Sequence, residues 1–146
     1  MSNFAGGNAA EAIGVVATID PASYSAGSTN TDVIDMKDWA EVLFIVQAGA
    51  LGASATLDFV VKGDTASGGS YATTITGKSI TQMVKATDDN KQRIIRVTAE
   101  EVAAQGLRYL RGTQTVATAA SLAAVTVIGV RPAYSKAGDF DLSSVD

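Results

Sequence analysis

Cysteine and histidine are both missing from the 146 residues of this chain. Their absence excludes zinc fingers, thiol nucleophiles, catalytic triads, imidazole acid–base work and most transition-metal sites. Only carboxylate, lysine, tyrosine, serine and threonine chemistry remains. Without cysteine the redox compartment leaves no trace in the sequence. Long apolar runs are also missing. The longest strongly apolar one, Val42 to Val46, is far short of the roughly 20 residues that a membrane-spanning helix needs. Basic charge is scarce too: a formal net charge of −4 argues against the basic face that nucleic-acid binding requires. Residues 1–11 contain neither a basic nor an apolar signal region, so no secretory leader is expected.

What is present is a succession of short β-branched and aromatic runs separated by Gly, Ser, Asn and Asp clusters, the pattern of strands and turns. The runs read as strands are 12–19, 33–36, 41–47, 55–62, 71–84, 91–98, 107–111 and 122–130. Pro21 is expected to end the first and Pro132 the last. In 55–62, Leu57, Phe59 and Val61 alternate with Thr56, Asp58 and Lys62, so one face meets core and the other water. The run Glu41 to Gln47 is apolar on both faces, which predicts either cover on each side or an outer face buried by a partner. Gly77 is expected to bend the long 71–84 strand. Stretches 22–31 and 63–70 read as loops, and 113–120 as a hairpin connection. Thr98-Ala99-Glu100-Glu101 fits a capping box and Gly106 a stop, predicting one short helix at 99–105.

About eight strands and one short helix, with no βαβ rhythm, predict an all-β, antiparallel, jelly-roll-like sandwich. The expected organisation is an N-terminal arm (1–11), a sandwich domain (12–132) and a C-terminal arm (133–146).

The residues able to carry chemistry have plain structural readings. Asp88-Asp89-Asn90 lacks the ligand spacing of a calcium loop and suits a turn. Asp32, Asp35 and Asp38 flank a short strand, and nothing in their spacing demands a glycosidase pair. The glycine-containing stretch Lys62 to Ser70 matches no phosphate-binding pattern. No catalytic residue, cofactor or metal is expected. All five arginines, Arg93, Arg96, Arg108, Arg111 and Arg131, fall in the C-terminal half. By parity, Arg93 and Arg96 should lie on opposite strand faces, and so should Arg108 and Arg111. Arginine and tyrosine are enriched at interface hot spots. The candidate protein-interface residues are therefore Phe4, Trp39, Arg108, Tyr109, Arg111, Arg131, Tyr134 and Phe140. Trp39 also reads as core packing.

The segment Arg96 to Arg111, followed by Val125 to Pro132, resembles small structural proteins of tailed bacteriophages. Ile34-Asp35-Met36, Leu43-Phe44-Ile45 and Lys62-Gly63-Asp64 are similar in style. The nearest likeness is to capsid cement, or decoration, proteins. It implies a β-sandwich on the capsid exterior that clamps neighbouring major capsid protein subunits, with dimeric or trimeric self-association at symmetry axes. It also implies assembly in the bacterial host cytoplasm and no catalysis, nucleic acid or membrane. The alternatives are a head-completion or tail structural protein, and a carbohydrate-binding β-sandwich, which one Trp and four Tyr equip poorly.

Overall fold

The computed structural model describes residues 12–133. Among these residues ten strands form: β1 (Ile13–Tyr24), β2 (Gly27–Asn30), β3 (Ile34–Asp35), β4 (Trp39–Ala48), β5 (Thr56–Asp64), β6 (Thr73–Ser79), β7 (Met83–Val84), β8 (Gln92–Thr98), β9 (Tyr109–Ala117) and β10 (Ser121–Pro132). Two helices, α1 (Lys85–Asp88) and α2 (Ala99–Ala104), interrupt them. One sheet has the order β1-β10-β4-β8; the other is β2-β9-β5-β6, with β3 added to β9 and β7 to β5. Every pairing is antiparallel. Leaving out the two-residue strands β3 and β7, the orders are first–eighth–third–sixth and second–seventh–fourth–fifth. That winding is a jelly roll, as the strand count predicted.

The core lies between the sheets. Val42, Phe44 and Val46 of β4 and Val125 and Val127 of β10 face Leu57, Phe59 and Val61 of β5. The Phe44 and Phe59 rings meet at 5.7 Å between centroids. Each fully buried side chain of this size stabilises the fold by roughly 2 kcal/mol. Two glycines make room for the largest rings: a Cβ on Gly112 would meet Phe59 at 2.1 Å, and one on Gly129 would meet Trp39 at 2.4 Å. β5 alternates as predicted, its even-numbered residues half-exposed and its odd-numbered ones buried.

The capping box is also formed. The Thr98 hydroxyl accepts from the Glu101 N–H at 3.2 Å, and the Glu101 carboxylate accepts from the Thr98 N–H at 2.9 Å. Gly106, at φ +73°, ends the helical segment. Gly77, at φ +75°, marks a bulge on β6 where the register to β5 slips.

Several boundaries need correction. Pro21 does not end β1: a bulge lets Asp20 and Pro21 share one position opposite Ala124, and the strand continues to Tyr24. β1 is an edge strand, where a missing N–H costs no ladder bond. The expected loop 22–31 therefore holds the end of β1 and all of β2. The expected connection 113–120 is mostly strand, since β9 runs to Ala117 and the turn falls at Thr118, φ +75°. The stretch 63–70 begins inside β5, and the Asp64 carboxylate fixes the loop after it by accepting from the Ala66 and Tyr71 N–H groups at 3.1 Å each. α1 was not foreseen. Its four residues carry no side-chain N-cap, and the Asp88 carboxylate accepts instead from the Val84 N–H at 2.9 Å.

Candidate protein-interaction surface

Strand alternation places Leu43 and Ile45 of β4 on the outside of the four-stranded sheet. Pairing sets Ile128 and Thr126 of β10 beside them, then Arg96 and Ile94 of β8 on one flank and Val15 and Thr18 of β1 on the other. Ile13 and Val130 extend the apolar surface at one end and Leu122 at the other. These side chains stay accessible: Ile94 is 64% exposed, Leu122 48% and Ile13 42%, while Val15, Leu43, Ile45, Ile128 and Val130 are half-buried. Strand spacing and rise give the patch an area of roughly 400 Å2, within the range where the largest patch on a monomer is often functional.

Charge rims this surface at the Ile13 end. Glu41, itself buried, accepts from Arg96 Nε at 2.8 Å and Nη2 at 2.5 Å, and from Arg131 Nη2 at 3.3 Å. Two guanidinium groups on one carboxylate leave the rim with a net positive charge. At the Leu122 end the face opens into a groove of about 420 Å3 between Pro21, Gln47, Asn90 and Leu122.

The outside of the six-stranded sheet is different. Ser28 and Thr115 hydroxyls meet at 3.0 Å, Thr113 donates to Asn30 at 2.8 Å, and Gln82 donates to Asp58 at 2.7 Å. At one end of this polar face the structure gathers Arg108, Tyr109 and Arg111. Arg108 forms a two-pronged pair with Asp35 at 3.0 and 2.7 Å and lies 4.9 Å from the Tyr109 ring centroid. That pairing, chiefly its hydrogen bonds, holds the Asp35 carboxyl below its ordinary pKa and keeps the Arg108 guanidinium charged. Arg111 stacks 4.5 Å from the centroid of Tyr71, whose phenol is pushed up in pKa by burial and then by Asp64. The expected split of Arg108 and Arg111 onto opposite faces does not hold. β9 begins at Tyr109, so Arg108 precedes the strand and turns back over Tyr109.

The remaining nominated residues fall elsewhere. Arg131 belongs to the rim of the apolar face. Trp39 is 3% exposed and packs on Gly129, so it is core and offers a partner no surface. Phe4, Tyr134 and Phe140 lie outside the described residues, as do both arms apart from Ala133. Sequence reasoning did not nominate Ile13, Leu43, Ile45, Ile94, Leu122 or Ile128. The signal for Leu43, Ile45 and Ile94 was the run Glu41 to Gln47, apolar at both parities, and the adjacent pair Ile94-Ile95.

The acidic groups have structural partners. Asp88 accepts from Val84, Thr87 and Arg93, and Asp89 from Leu51 and Lys85. Backbone N–H donors are the main cause of the lowered pKa of both. Asp32 accepts from the Thr18 N–H at 3.2 Å. Asp38 is raised in pKa, first by burial and then by Asp35. No cluster of three or more potential metal ligands occurs among the described residues, and no helix there is long and apolar enough to cross a membrane.

No protein-family model matches the chain, and no curated protein matches it. Solved structures do. The VP2 subviral particle of infectious bursal disease virus aligns at a TM-score of 0.50 and 9% identity, covering 88% of this chain and 33% of that one. The T13 particle of the same virus aligns at 0.49 and 7%, covering 82% and 31%. A pilus-forming Bacillus endospore appendage aligns at 0.37 and 12%, covering 90% and 97%. This chain thus spans about one third of the viral chains it matches. At 9% identity the first likeness is one of fold, and the fold shared is an all-β sandwich.

Proposed function

We propose that the protein is a non-catalytic virion component, a cement protein that docks on the outside of a phage capsid and holds neighbouring major capsid protein subunits together. The observation that carries this reading is the apolar outer face of the four-stranded sheet. An antiparallel sandwich needs only its inner faces apolar, so a second apolar face is explained by association. At about 25 cal/mol per Å2, burying roughly 400 Å2 yields on the order of 10 kcal/mol before the cost of immobilising two bodies. One such face supports modest affinity; many copies on a repeating lattice support a stable shell. The resemblance of Arg96 to Arg111 and Val125 to Pro132 to tailed-phage head proteins supports a phage capsid as that lattice.

The carbohydrate-binding alternative loses support from aromatic burial. Trp39 and Tyr71 are 3% and 1% exposed, leaving Tyr24 and Tyr109 as the partly exposed aromatics among the described residues. The test is co-sedimentation of purified protein with undecorated capsids. Saturable binding, in a copy number tied to the capsid lattice, is expected. Absence of binding refutes the reading, and a few copies confined to one vertex favours a head-completion or tail protein.

A further inference from the structure

The ion pairs of the described residues leave one pair of cations side by side without a carboxylate. Lys78, Lys85, Arg93, Arg96, Arg108 and Arg131 each meet an acidic partner. Lys62 and Arg111 do not, and the β5–β9 register sets them directly opposite each other on the outside of the six-stranded sheet. Asp64 stands on the same face of β5, but its carboxylate is turned to the Ala66 and Tyr71 N–H groups and forms no ion pair with either cation. Arg111 is fixed against Tyr71, and its Nε is buried with no acceptor among the described residues.

The sequence that follows the described residues is acidic. Residues 12–133 hold 11 of the 15 acidic and 10 of the 11 basic residues, whereas the last 13 residues hold Asp139, Asp141 and Asp146 against Lys136 alone. The last described residue, Ala133, connects to the cation pair through Asp38, Asp35 and Tyr109. The Ala133 N–H donates to the Asp38 carbonyl at 2.7 Å, and the Asp38 N–H to the Asp35 carbonyl at 3.1 Å. Asp35 pairs in register with Tyr109, two positions from Arg111. The path from Ala133 to Arg111 is thus roughly 15–20 Å, and the six residues from Ala133 to Asp139 reach up to about 20 Å. In extended chain, Asp139 and Asp141 point the same way about 7 Å apart, a spacing that suits two long cationic side chains on adjacent strands.

We propose that Lys62 and Arg111 form a docking site for the chain's own C-terminal segment, which folds back so that Asp139 and Asp141 pair with them. Such a latch is independent of the shell reading. It draws the segment onto the polar sheet and leaves the apolar face of the other sheet open to a partner.

A carbodiimide joins a lysine amine to a carboxylate only where the two already touch, so coupling of the full-length protein followed by peptide mass spectrometry tests the latch. Lys62 should couple to Asp139 or Asp141. An equal mixture of 14N- and 15N-labelled protein should give cross-linked peptides of single isotope composition. D139N/D141N, which alters only the segment, should abolish the product, and R111Q should reduce it up to about tenfold through loss of the neighbouring ion pair. Mixed-isotope products would assign the segment to a second copy and overturn the own-chain latch. Lys62 coupling only to Asp146 or the chain terminus, or none to residues 139–146, overturns the site. A yield unchanged in R111Q overturns the role of Arg111.

Discussion

Outside β4 stand Leu43 and Ile45; outside β5 stand Asp58 and Lys62. Both strands pass through the middle of a sheet, and both send alternate residues into the same core. They differ only in what the other half of the alternation carries. β5 follows the usual economy of a two-layer fold, apolar inward and, Val60 apart, polar outward. β4, with β10 and β8, departs from it. The difference teaches that the outer faces of the two sheets differ in chemistry though they share one core. On the proposed reading a partner covers the four-stranded sheet, while the six-stranded sheet faces water and charge.

The largest effect should come from damaging what the two sheets share. Trp39→Ala removes a core indole and leaves a cavity beside Gly129, so it should cost about 3–5 kcal/mol. The melting temperature should fall by roughly 10 °C, with capsid binding lost only where the protein unfolds. Breaking one face alone should separate stability from binding. Ile45→Lys with Ile94→Lys should weaken capsid association on the order of 100-fold while thermal stability changes by about 1 kcal/mol or less. A parallel collapse of both quantities would mean that the face belongs to the fold and not to an interface.

Smaller effects sharpen the contrast. Glu41→Gln weakens the charged hydrogen bonds to Arg96 and Arg131 at the rim and should lower the unfolding free energy by about 1 kcal/mol, read as a denaturant midpoint. Thr56→Lys with Thr115→Lys, on the polar face, should change stability by no more than about 0.5 kcal/mol per site and leave capsid binding unchanged.

The pH profile is the mildest test. Asp35, Asp64, Asp88, Asp89 and Glu101 all have lowered pKa values in the fold, from the Arg108 hydrogen bonds in the first case and chiefly from backbone N–H donors in the others. A carboxylate lowered on folding contributes stability that is fully present above its unfolded pKa, near 4, and lost as pH falls through the folded value. Asp38, raised chiefly by burial, acts in the opposite sense and offsets a part. With no histidine in the chain, the melting temperature should be flat from about pH 5 to 8 and should decline below about pH 4.

Much of this was legible in the residues. The alternation of β5, the capping box at Thr98 and Glu101, the bulge at Gly77 and the stop at Pro132 are local events, decided by side chains within a few positions of one another. β2 was not legible, because Gly27-Ser28-Thr29-Asn30 has no apolar residue and becomes a strand only by pairing with β9. Nor was the passage of β1 through Pro21, which depends on that strand lying at an edge. Trp39 was ambiguous for a related reason: its place in the core depends on Gly129, 90 positions away, leaving room for the ring.

The same division runs through the candidate surface. Composition alone removed imidazole and thiol chemistry, and the doubly apolar run Glu41 to Gln47 already asked for cover on two sides. Which residues complete that surface was decided by the jelly-roll winding, which sets the eighth strand beside the first and third and the sixth beside the third. Ile13, Ile45, Ile94 and Ile128 become one face only through hydrogen-bonded register between distant strands. Lys62 and Arg111 become one site in the same way. Periodicity determines which side chains share a side of their own strand, but only pairing in three dimensions determines which strands share a side.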